Sequence, residues 1–232
     1  MIAIRSLIPA LLVPALAGSA PAAETKATDA KAAETAALAV LASEAGVHEK
    51  ARACQELAVV GGPAAVTALA SLLDKEPLAD YARSGLEAIR EPAAGEALRQ
   101  ALSRLKGRLL AGVVNSLGVR REIAAVPDLR KLALDPKSGV ASEALASLGM
   151  IATVEAAKTL HTVIVDGPAD LRIPAAHAAL AAAAQLAKDG NPAAARGLLD
   201  SIVRAQPKGL LATAAQHQAA TLRAKPAPPA PK

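Results

Sequence analysis

The sequence predicts an all-α protein in which short helical hairpins stack one after another. Three observations predict it. The chain is rich in Ala and Leu, has no Phe or Trp, and carries Tyr81 as its only aromatic residue, a composition that favours helices over strands. Leucines recur at Leu57, Leu86, Leu117 and Leu148, spaced 29, 31 and 31 residues apart; a fixed period of about 20–50 residues marks repeat architectures. Gly and Pro fall between the apolar stripes that these leucines anchor, where chain reversals are needed.

Taken in order, residues 1–22 read as a secretory signal peptide. Arg5 supplies the positive start, an apolar run over 7–17 is interrupted by Pro9 and Pro14, and Ala20-Pro21-Ala22 offers a small-x-small site with cleavage after Ala22. Ala15-Leu16-Ala17 is an alternative site. The run is short of the ~20 residues a span requires. It places the protein in the periplasm or outside the cell; anchoring in the inner membrane through an uncleaved leader is the alternative. Residues 23–46 are a polar lead-in over 23–30, then a helix over 32–43 whose Leu38 and Leu41 cap the open end of the stack. Such a cap keeps a repeat array soluble. Four repeats follow at 47–77, 78–107, 108–137 and 138–169. Residues 170–223 form a degenerate hairpin, with helices near 173–188 and 193–205 around Asp189-Gly190-Asn191-Pro192, and a closing helix at 210–223. Residues 224–232 are a Pro-rich tail, expected to be extended.

Within each repeat the pattern extends beyond the anchor. Ala53, Ala82, Val113 and Ala144 stand four residues before it, on the same helical face. Leu69, Leu98, Leu129 and Leu160 stand twelve after, and Leu72, Ala101, Leu132 and Val163 fifteen after, defining a second apolar stripe. Between the stripes lie Gly61-Gly62-Pro63, Arg90-Glu91-Pro92, Gly118 with Arg120-Arg121, and Gly149 as turn signals. Between repeats lie Glu76-Pro77, Lys106-Gly107, Asp135-Pro136 and Asp166-Gly167-Pro168. Pro suits the first turn of a helix and Gly its exit. With no large rings to fill space, helices must approach closely, and Gly85, Gly112 and Gly118 fit that need.

This pattern resembles the HEAT repeat, in the short form of bilin-lyase-like bacterial HEAT proteins. Val140-Ala141-Ser142-Glu143-Ala144-Leu145-Ala146-Ser147-Leu148-Gly149 carries the likeness in the first helix, and Ala124-Ala125-Val126-Pro127-Asp128-Leu129 in the second. Ala53-Cys54-Gln55-Glu56-Leu57-Ala58-Val59-Val60-Gly61 is similar to exported bacterial HEAT-repeat domains. The resemblance spans roughly 47–170 and implies a right-handed α-solenoid, a HEAT-like or armadillo-type superhelix whose second helices line the concave side. It implies a fold rather than a role, because one fold hosts many functions.

The concave register then nominates a site. Arg99, Arg130 and His161 fall thirteen residues after their anchors, Gln100 and Lys131 fourteen after, and Lys158 ten after. Stacked helices stand about 10 Å apart, so these side chains would form a ladder. Over residues 99–131, Lys and Arg number eight against two acids. A protein partner with an acidic face fits the ladder; a solvated face serving solubility is the alternative.

Other chemistry is poorly supported. The net charge of +5 falls to +4 when Arg5 leaves with the leader, an ordinary value. With Tyr81 as the only aromatic residue available to stack on bases, nucleic acid is not expected as a partner. Cys54 is alone, three residues before Leu57, and reads as a small core residue. One HEAT family, deoxyhypusine hydroxylase, holds two irons with repeated His-Glu pairs. Here His48-Glu49 is a single pair, and the matching positions are Pro77-Leu78, Arg108-Leu109 and Gly139-Val140. No catalytic, cofactor or metal site is expected. The leading expectation is a monomeric, non-enzymatic scaffold, with an accessory subunit of a larger exported enzyme or redox complex as the alternative and a HEAT-type lyase or hydroxylase behind both.

Overall fold

A computed structural model describes residues 20–206 and 208–224. Among them the chain is all helical, with no strand. The helices are α1 (Ala20–Ala42), α2 (Val47–Val60), α3 (Pro63–Ala70), α4 (Ala79–Ala88), α5 (Pro92–Ala101) and α6 (Gly107–Val119). A 3-10 turn at Ile123–Ala125 leads into α7 (Val126–Leu134), followed by α8 (Ala141–Ile151), α9 (Val154–Asp166), α10 (Ala169–Lys188), α11 (Pro192–Ala205) and α12 (Leu210–Ala224). Residues 1–19 of the expected signal peptide, and residues 225–232 of the Pro-rich tail, lie outside the described residues.

Helix boundaries follow local chemistry. Pro63, Pro92, Pro127 and Pro192 sit in the first turns of α3, α5, α7 and α11, where a missing N–H costs nothing. Thr153 caps α9 by accepting a hydrogen bond from the Ala156 N–H at 3.1 Å. Two expectations change. The stretch 23–30 is not a loose lead-in, because α1 is continuous from Ala20; its Ala, Lys and Glu content has high helix propensity. Its packed part carries buried Ala37, with Leu38, Val40 and Leu41 against the core, and Glu34 accepts from the Gly62 N–H at 2.7 Å, at the positive end of α3. Gly118 and Gly149 are not turn residues either. Both lie inside α6 and α8 and are buried.

The leucines of the period are core residues. Leu57, Leu86, Leu117 and Leu148 are fully buried, and so are Leu69, Leu98, Leu129 and Leu160. Helices pack on their next-but-one neighbours: α2 on α4, α4 on α6, α6 on α8, α8 on α10 and α10 on α12. Beside this layer α1 meets α3, α3 meets α5, α7 meets α9 and α9 meets α11. One contact recurs between successive repeats. The residue just before each anchor meets the residue three before the previous anchor. A Cβ on Gly85 would stand 3.3 Å from the Cys54 carbonyl oxygen. The Ser116 hydroxyl accepts from Arg83 at 2.8 Å and donates to Glu87 at 2.6 Å. The Ser147 hydroxyl donates to the Val114 carbonyl at 2.8 Å.

Two arginines after α6 tie this layer together. Arg120 reaches back to the end of α4, donating to the carbonyls of Leu86 at 2.8 Å, Glu87 at 3.1 Å, Ile89, and Glu91 at 3.2 Å. Arg121 has a left-handed backbone (φ 51°) and reaches forward, donating to the Ile151 carbonyl at 3.2 Å and to Asp189 at 3.0 Å. Its guanidinium holds the Asp189 carboxyl below the usual carboxylate range, helped by a hydrogen bond from Gln185. The positive groups thus meet the carbonyl-rich ends of helices on both sides, as the helix dipole favours.

Cys54 is fully buried in the core, and burial pushes its thiol up to about 11. Because the thiolate is the reactive form, a water-soluble aromatic disulfide reagent at neutral pH should leave Cys54 unlabelled in the folded protein and label it fully in denaturant. Rapid labelling of the folded chain would overturn this placement.

Candidate functional site

The sequence places a surplus of positive charge over residues 99–131, and the fold redistributes it. Arg99 lies 2.6 Å from Glu96 on its own helix and 3.4 Å from Asp128 on α7. Arg104 donates to the Ala70 carbonyl at 2.9 Å and stands 3.8 Å from Asp74. Arg108 spans Glu76 and Asp80 at 2.6 and 2.5 Å. Lys131 stands 3.5 Å from Asp128. Together with Arg121, which pairs with Asp189, five of these eight cations meet a carboxylate, and a sixth, Arg120, meets only carbonyls. Lys106 and Arg130 remain, and Arg130 has no anionic partner among the described residues.

Arg130 borders a groove of about 820 Å³ between α7 and α9. Its apolar lining is Ile123, Val126, Pro127 and Leu134; its polar lining is Arg130, Lys131, Asp135, Thr153, Glu155 and Lys158. The 3-10 turn brings Ile123 to the mouth, where it is 66% exposed, and the last residue of α7, Leu134, is 45% exposed. Leu129 and Leu160, on the inward faces of the same two helices, are fully buried. The groove is therefore an apolar opening on the surface side of a packed pair.

Of the six residues nominated from the register, the fold brings Arg130, Lys131 and Lys158 to this groove. Lys158 stands 3.6 Å from Glu155, with their side chains 73% and 69% exposed. Arg99 is outside the lining but tied to it through Asp128. Gln100 donates to Glu96 at 3.1 Å and His161 is exposed; neither lines the groove. Register reasoning missed Ile123 and Leu134. Both are large apolar residues off the buried stripe, and that was the available signal.

His48 and Glu49 are exposed in the first turn of α2, and among the described residues no three His, Cys, Asp or Glu side chains converge as metal ligands. No described helix is long and apolar enough to cross a membrane. The chain matches no family model and no curated protein.

Proposed function

We propose that this chain is an exported, non-enzymatic HEAT-type scaffold, a right-handed α-solenoid that binds a protein partner along the face formed by its second helices. The observation that carries the reading is the groove between α7 and α9, where Ile123 and Leu134 stay open to water beside Arg130, Lys131 and Lys158. A large apolar residue left exposed in a groove with a polar rim is a common mark of an interaction site. The recurring contact between successive anchors supports equivalent repeats, and the leader-like start supports export. Lys131 and Lys158 are paired with Asp128 and Glu155 at 3.5 and 3.6 Å, which leaves Arg130 as the rim cation open to a partner's carboxylate.

The immobilised chain should capture a partner from a periplasmic extract, and Ile123→Asp with Arg130→Glu should reduce that capture at least about ten-fold, since reversing a charge and wetting an apolar contact each remove binding energy. Val59→Asp, at a residue 85% exposed on α2, should leave it unchanged. Equal capture by the groove variant would refute the docking face.

A further inference from the structure

We infer that the groove between α7 and α9 takes a short apolar peptide segment bearing a carboxylate, and that Arg130 selects it. This rests on the docking face proposed above and adds the chemistry of its occupant. Of the cations in the lining, Lys131 is shared with Asp128 and Lys158 with Glu155. Arg130 alone faces the opening with no acid in reach among the described residues. Its planar fork matches a carboxylate through two parallel hydrogen bonds, which a lysine ammonium cannot reproduce.

The rest of the lining narrows the class. Ile123, Val126, Pro127 and Leu134 present aliphatic surface and no ring, which suits branched aliphatic side chains. Asp135 and Glu155 stand in the same lining and repel an acid placed away from Arg130. Repulsion of that kind discriminates as effectively as attraction. A polyanion would meet both acids, whereas a segment with one carboxylate in register with Arg130 meets neither. Charge complementarity therefore points to a mixed apolar and acidic peptide.

The test is a selection of random dodecapeptides displayed on phage against the immobilised full chain, followed by fluorescence anisotropy with labelled synthetic copies of the enriched peptides. The enriched peptides should combine Leu, Ile or Val with Asp or Glu. Arg130→Glu should weaken them by about ten-fold or more, a usual cost for a close charge pair across an interface, and Arg130→Gln should weaken them less. Changing the peptide's acid to its amide should cause a similar loss, and Lys106→Glu should cause none. Peptides without acids, or binding lost on Ile123→Asp yet indifferent to Arg130, would overturn the carboxylate assignment and leave the docking face standing. If nothing is enriched, or if binding ignores both substitutions, the assignment and the docking face fail together.

Discussion

Arg120→Ala should destabilise the protein by about 3 kcal/mol, the largest single-residue loss expected outside the leucine core. The guanidinium donates to four backbone carbonyls at the end of α4 and in the turn beyond it. Those of Leu86 and Glu87 belong to the last turn of α4, where a helix end leaves acceptors unpaired. Each hydrogen bond to a charged donor contributes about 1.5–3 kcal/mol, but the four cannot be summed. They share one cation, and its Nε is buried with no partner among the described residues, which offsets part of the gain. For a chain of this size a loss near 3 kcal/mol corresponds to roughly 6–12 °C in Tm. Arg120→Lys should recover less than half, because an ammonium cannot span a row of carbonyls. Arg121→Ala should cost much less than Arg120→Ala, because an exposed ion pair contributes little and the Arg121 and Asp189 side chains are 42% and 43% exposed. Thermal melts of the three variants check this ordering. Equal stability of Arg120→Ala and Arg121→Ala would show that the backward reach of Arg120 does not hold the layer.

Gly149→Ala should destabilise, although alanine is the better helix former by about 1 kcal/mol. Gly149 lies where α8 meets α10, and a Cβ there would stand 2.7 Å from the Ala178 carbonyl oxygen, 2.9 Å from its Cβ and 3.0 Å from its Cα. None of those atoms is the end of a flexible side chain, so the two helices must separate. Overpacking of this kind costs about 1–3 kcal/mol, and the upper half of that range is expected because backbone must move. Gly197 is the internal comparison. It lies inside α11 with nothing within 4 Å of its added Cβ, so Gly197→Ala should stabilise by about 0.5–1 kcal/mol through backbone entropy alone. Denaturant midpoints of the two variants should move in opposite directions. A shift of both toward greater stability would mean that α8 and α10 are not in close contact at this point.

The pairing of the arginines shows where reading the sequence stops short. Arg99 with Asp128, Arg108 with Asp80, Ser147 with Val114 and Arg120 with Leu86 are all separated by between 28 and 34 residues, about one repeat. A search for opposite charges at that separation would have found Arg99 and Arg108 already engaged. Counting charge along a continuous stretch hid this, because the compensating acids lie one repeat away in sequence and one helix away in space. Gly149 carries the same lesson. Next to a turn its sequence context suggests a helix exit, while its neighbour across the interface, Ala178, comes from the hairpin where the leucine register is lost.

What the sequence alone determined is the helical hairpin order and its core. A buried leucine must recur on one face of each helix, and that periodicity is legible without coordinates. Only the tertiary structure decided which charges remain available and where the surface opens, because both depend on distances between helices. Arg99 and Lys131 carry the same charge as Arg130, and they fall at the same or the next register position. The separation of α7 from α9, and the placement of Asp128 and Glu155, leave Arg130 unmatched beside Ile123 and Leu134.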